Sequence, residues 1–196
     1  MTSTTEIEVK FLNINLDELR LRLSAAGAKQ LMPMTPLRRA ILETPEMRSK
    51  SAFVRIRDEG DKITAVYKQH AKLELGGATE ISIVVDSFEA AVDLFKAAGV
   101  SYKSYQETKR ESWQLDDAMI TLDVWPWLEP LVEIEADNED AVRTVATTLG
   151  FDWNEAVFGG IMVAYQHKYP SLNSQASIID LAEVKFDTPL PEMLKA

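Results

Sequence analysis

One pattern occurs three times in this chain and narrows the folds open to it. Thr5-Glu6-Ile7-Glu8-Val9, Thr79-Glu80-Ile81-Ser82-Ile83 and Val132-Glu133-Ile134-Glu135-Ala136 each alternate apolar and polar residues, as a half-buried strand does. Each is followed by a helical pattern that stops at a glycine, at Ala26-Gly27, Ala98-Gly99 and Leu149-Gly150. The helices are expected to begin near Asn15-Leu16-Asp17-Glu18, Ser87-Phe88-Glu89 and Asn138-Glu139-Asp140, where polar caps precede early acids. The spacing between the three units is irregular, so they do not form a solenoid.

Further strands lie between these units. Ala52 to Arg57 and Ile63 to Lys68 alternate around the loop Asp58-Glu59-Gly60-Asp61-Lys62, which predicts a hairpin whose acids form a solvated turn. Lys103 to Leu115 and Met119 to Val124 flank a turn at Asp116-Asp117, and a last strand is expected from Ile161 to Tyr165. Met32-Pro33-Met34 reads as loop or edge. Short hairpin turns imply a largely antiparallel sheet. One domain is expected over residues 1–170. The tail, 171–196, is expected to dock on it through the apolar residues between Ile178 and Phe186, with Pro189 and Pro191 opposing regular structure at the very end.

The strand faces carry segregated charge. Glu6, Glu8 and Lys10 share one face, Arg55 and Arg57 another, and Glu133 and Glu135 a third, each opposite an apolar face. A wet sheet face would explain this. If the sheet instead closes into a barrel with helices outside, the charges line its interior and need counter-charges or a ligand. Carboxylates and guanidinium groups in one cavity suit a hard divalent ion and a polyphosphate. Bulk composition restricts the rest. The net charge is −10, from 31 acids and 21 bases, which argues against nucleic acid or an anionic membrane as partner. No cysteine is present, which excludes disulfides, thiolate metal sites and a cysteine nucleophile, and points to the cytoplasm. His70 and His167 are too few for a histidine metal site and read as surface or loop residues. No apolar run is long enough to span a membrane, and Met1 to Thr5 is not a signal peptide.

Glu6-Ile7-Glu8-Val9-Lys10 resembles the E-x-E-x-K signature of the CYTH superfamily, the triphosphate tunnel metalloenzymes. Arg55-Ile56-Arg57, Lys68, Glu80, Lys109-Arg110, Leu122-Asp123 and Glu133-Ile134-Glu135 follow in an order similar to that family's over residues 5 to 169. The segment from Thr121 to Pro130 resembles a bacterial branch described as adenylate cyclase or triphosphatase, and Arg38-Arg39 lies where that branch carries a paired-arginine strand. The resemblance implies an α+β fold, a closed eight-stranded antiparallel β-barrel with flanking helices. It implies Mg²⁺ or Mn²⁺ held by Glu6, Glu8, Glu133 and Glu135, with Glu8 and Glu133 as the catalytic carboxylates. It implies a small-molecule triphosphate bound by Lys10, Arg55, Arg57, Lys68 and Arg110, with Glu80 and Asp123 completing the lining. Ser82 replaces an acid of many members, and Lys168 is the nearest match to a C-terminal lysine of some.

The implied activity is hydrolysis of inorganic triphosphate or of an organic one such as thiamine triphosphate. A class IV-like adenylyl cyclase and a non-catalytic polyphosphate- or nucleotide-binding module are the alternatives, in a monomer or homodimer. Trp125, Trp127 and Trp153 could stack on a base or thiazole ring, but packing is their expected role.

Overall fold

The computed structural model describes residues 7–70, 78–173 and 176–195. The strands are β1 (Ile7–Phe11), β2 (Lys29–Glu43), β3 (Ala52–Asp58), β4 (Ile63–His70), β5 (Ala78–Val85), β6 (Ser101–Leu115), β7 (Ala118–Val124), β8 (Leu131–Ala136) and β9 (Glu183–Val184). The helices are α1 (Leu16–Ala25), α2 (Pro45–Ser49), α3 (Phe88–Ala97), α4 (Glu139–Thr148) and α5 (Met162–Lys168). None of the described helices is long and apolar enough to cross a membrane.

The expected strand–helix–glycine units form. Asn15, Ser87 and Asn138 accept hydrogen bonds from first-turn amides of α1, α3 and α4 through their side-chain oxygens. Gly27, Gly99 and Gly150 end the same helices in the left-handed region, at φ of 79°, 87° and 76°. Each following amide, of Ala28, Val100 and Phe151, donates to a carbonyl five residues back at 2.9 Å. That closes the helix ends as Schellman motifs.

The strand order is β1-β8-β7-β6-β2-β3-β4-β5, with β9 pairing parallel to β6. This differs from the expected closed eight-stranded antiparallel barrel. Among the described residues there are nine strands, and the path has two ends. At one end, the free edge of β1 is taken by an isolated bridge: Lys10 and Val157 exchange both backbone hydrogen bonds at 2.9 Å. At the other, β5 pairs with β4 alone among the described residues.

Two compact units are present. One comprises residues 7–35, 109–173 and 190–195; the other comprises 36–70, 78–108 and 176–189. In the first, α1 and α4 pack on the apolar faces of β1, β7 and β8 around Phe11, Leu23, Ile120, Ile134 and Val142. In the second, α3 covers the apolar faces of β2, β3 and β4 around Leu42, Val54, Ile56 and Phe88.

Three local expectations need correction. Residues 161–165 do not form a strand; α5 occupies this stretch. The Tyr165 and Tyr169 hydroxyls donate to the adjacent carbonyls of Pro126 and Trp127, at 2.9 and 2.7 Å. Four residues of helix advance about 6 Å, against about 13 Å in a strand, so the helix brings Tyr165, and Tyr169 at its C-cap, to neighbouring carbonyls. Met32-Pro33-Met34 is strand rather than loop, within the fifteen residues of β2, and the edge alternative fits, as this stretch lies beyond the β3 pairing. Pro33 and Pro36 are tolerated there because β3 pairs only with Arg38 to Leu42. The acids of the 58–62 loop are not simply solvated. Asp58 accepts from Arg38 and from the Gly60 amide, both at 3.0 Å, and Glu59 lies 3.6 Å from both Arg57 and Lys62.

The tail contacts its surroundings through buried apolar residues. Ile178 and Val184 are 2% and 0% exposed, β9 hydrogen-bonds to β6, and Arg48 on α2 bonds Asp180.

Candidate active site

In the first unit, strand register builds one polar face. Lys10 lies across from Glu133 and Glu8 across from Glu135. Thr121 lies across from Glu133, and Arg110 across from Asp123. Directly paired residues project to the same side, so six of the expected site residues converge. Lys10, 1% exposed, bonds Glu8 and comes within 3.3 Å of Glu133 Oε1. Arg110 donates through Nε and Nη2 to both oxygens of Asp123, at 2.7 and 2.5 Å, and through Nη2 to Glu133 Oε2 at 2.9 Å. The Thr121 hydroxyl stands 3.4 Å from both Asp123 and Glu133.

The electrostatics follow from this packing. Burial works against the charge of Lys10, yet Glu133 and Glu8 outweigh it and raise its pKa above 10.5. Burial likewise opposes the Arg110 charge, and Asp123, Glu133 and Glu8 more than restore it. Both cations are therefore held charged between carboxylates.

Among the described residues, no three acids or histidines gather as a ready-made metal cage. Glu6, one of the four acids assigned to metal, lies outside the described residues. The donors present still fit a hard divalent ion. Mg²⁺ commonly takes only one or two carboxylates, the rest of its shell coming from water and substrate phosphate. Glu8, two-fifths exposed, and Glu133, one-fifth exposed, offer such oxygens beside Glu135.

The second unit carries the other group of expected residues. Lys68 lies across from Glu80 in register, and their side chains meet at 2.6 Å. Burial pushes the Glu80 pKa up, but Lys68, Arg55 and Arg57 bring it below 4.5. Arg55 and Arg57 project from β3 on the face that includes Lys68, through the β3–β4 pairing of Phe53 with Lys68. Ser82 is exposed on β5. Lys168 is engaged elsewhere, in a 2.8 Å pair with Glu129.

Trp125 is buried, and Trp153 lies under the Arg143 guanidinium at 4.1 Å with Phe158 at its edge. His167 is exposed on α5; the His70 side chain lies outside the described residues.

Sequence reasoning missed Glu111. It occupies the apolar face of β6, in phase with Trp113 and Leu115, and is 1% exposed. Its carboxylate accepts from Arg20 Nη2 at 2.7 Å, the Gln30 amide at 3.0 Å and the Trp113 indole at 2.8 Å. The signal was its phase: an acid at a position where alternation calls for an apolar residue.

Known proteins share this fold. The PH1012 protein of Pyrococcus horikoshii OT3 is 21% identical, with a TM-score of 0.66 over 78% of this chain and 94% of its own. A Vibrio parahaemolyticus protein described as a candidate adenylate cyclase is 12% identical, with a TM-score of 0.70 over 82% and 97%. A Hippeastrum protein, a candidate adenylyl cyclase described as having a dominant triphosphatase activity, is 13% identical, with a TM-score of 0.54 over 79% and 90%. No curated protein matches the chain. The model of the CYTH domain matches residues 4–154, a span that contains every carboxylate and cation placed above from Glu8 to Glu135. On that match, the chain belongs to the CYTH domain family.

Proposed function

We propose that this protein is a divalent-metal-dependent triphosphatase acting on inorganic triphosphate or a small organic triphosphate such as thiamine triphosphate. The observation that carries the reading is the face of the first unit on which Glu8, Asp123 and Glu133 interleave with the buried Lys10 and the half-buried Arg110. The triphosphatase activity described for the Hippeastrum protein supports it.

Glu8, Glu133 and Glu135, with Glu6, would hold Mg²⁺ or Mn²⁺. A bound divalent ion would supply Lewis-acid neutralisation of the phosphate oxygens. Lys10 and Arg110 offer fixed positive charge to those oxygens, and Asp123 orients the Arg110 fork by gripping two of its nitrogens. Arg55, Arg57 and Lys68 share a cationic face of β3 and β4 suited to phosphate oxygens. Glu8 or Glu133 positions the attacking water and takes its proton.

Metal-stripped protein is incubated with inorganic triphosphate, thiamine triphosphate and ATP, each with Mg²⁺ or Mn²⁺, and the products are resolved chromatographically. Orthophosphate release is expected. Glu8→Gln and Glu133→Gln should each lower metal-dependent turnover by about 100-fold or more. Full turnover in both variants would remove this face from the chemistry. Cyclic AMP and pyrophosphate from ATP would replace hydrolysis with cyclisation, and binding without any product would make the protein a sensor.

A further inference from the structure

The adjacent arginines of β2 have opposite fates. Arg38 turns toward α3, where it donates to Asp58 at 3.0 Å and Glu89 at 2.8 Å and lies 4.4 Å over the Phe88 ring. It is a structural clamp. Arg39 turns to the other face. It is 7% exposed, its Nη2 donates to the Thr108 hydroxyl at 3.1 Å, and it stands directly across from Arg57. Like charges in direct cross-strand register repel, and burial strengthens that repulsion. Glu59 stands 3.6 Å from Arg57 on one side, and an anion that engages both guanidinium groups relieves the repulsion further.

Register also fixes where Arg39 falls in the cationic row. Lys68 is across from Phe53 at one end of β3, Arg55 is two residues on, and Arg57 with Arg39 marks the other end. From Phe53 to Arg57 is four strand residues, about 13 Å. Guanidinium forks suit phosphate oxygens in two-point geometry.

We infer that Arg39 is a substrate-binding residue, and that it reads the length of the phosphate chain by closing the far end of the row. The inference rests on the triphosphate reading above and deepens it. A triphosphate reaches along the row. Pyrophosphate is too short to engage both ends and settles on the remaining cations when one end is lost. Arg39 therefore separates triphosphate from pyrophosphate, while Thr108 holds its guanidinium in place as a positioning residue.

Titration calorimetry of the full chain in EDTA, which stops metal-dependent turnover, measures affinity for inorganic triphosphate and for pyrophosphate. The wild type is expected to prefer triphosphate. Arg39→Gln should weaken triphosphate about 10- to 100-fold, the size of a lost charge-assisted contact, and weaken pyrophosphate much less, so that the preference collapses. Arg39→Lys should recover part of it. Thr108→Val keeps shape and charge, and should shift the preference in the same direction by a smaller factor; it carries the test if Arg39→Gln does not fold. Equal weakening of both anions, or an unchanged preference in folded variants, overturns the role of Arg39 and leaves the triphosphatase standing. Failure of the wild type to bind either anion, both in EDTA and with Mg²⁺ restored, overturns the triphosphate reading itself.

Discussion

Glu111 and Arg110 are neighbours in sequence, yet one serves the apolar core and the other the polar face. Alternation along β6 makes that separation obligatory. Reading charge alone would send both to water, which is why Glu111 was not legible; its partner Arg20 comes from α1, ninety-one positions away. Lys10 and Glu133 were legible as sharing a kind of face, whereas their direct opposition required the β1–β8 register. Burial raises the Glu111 pKa, but Arg20, Trp113 and Gln30 together pull it below 4.5. A carboxyl with a depressed native pKa stabilises the fold above its unfolded value and loses that contribution as pH falls through the native one. Glu111→Gln should therefore cost about 1–3 kcal/mol at pH 7. The gap between variant and wild type should narrow once the pH drops below 4.5. Urea denaturation at pH 7 and through the acid range checks this, and a gap that stays constant would refute it.

The three capped helices were readable because their start and stop signals are local. Asparagine, serine and glycine act on amides and carbonyls a few residues away. The identity of α5 and the continuity of β2 were not readable, since tyrosine contacts to Pro126 and Trp127 decide the first and the limited reach of β3 permits the second. The helix ends also communicate: Arg22 of α1 donates to the Leu149 carbonyl at the end of α4, at 3.1 Å. A Cβ on Gly150 would sit 3.3 Å from that same Arg22 nitrogen, whereas one on Gly27 would meet nothing within 4 Å. Both positions have positive φ. Gly27→Ala should cost about 1 kcal/mol from backbone strain alone, and Gly150→Ala should cost more, because it also displaces the guanidinium. Thermal melts of the two variants compare them; equal losses would show that Arg22 moves aside freely.

At the scale of the molecule, the tail is a structural part. Val184 and Ile178 bury fully or nearly so, and β9 occupies an edge of β6. Truncation after residue 175 should expose that edge and lose on the order of 1.5–3 kcal/mol for each of these two side chains, with aggregation on heating as the visible sign. A truncated chain with unchanged melting and solubility would assign the tail no such part. The sequence showed that this segment has apolar residues to bury, but only the parallel pairing with Tyr105 and Gln106 shows what it covers. One feature of the polar face reaches further. Lys10 places an ammonium beside both Glu8 and Glu133, in the position a counter-ion would take. This counter-ion is covalently part of the chain, so it can be neither diluted nor chelated away. The proposed ion is then not needed to assemble this face: the fold can form first and the ion bind afterwards.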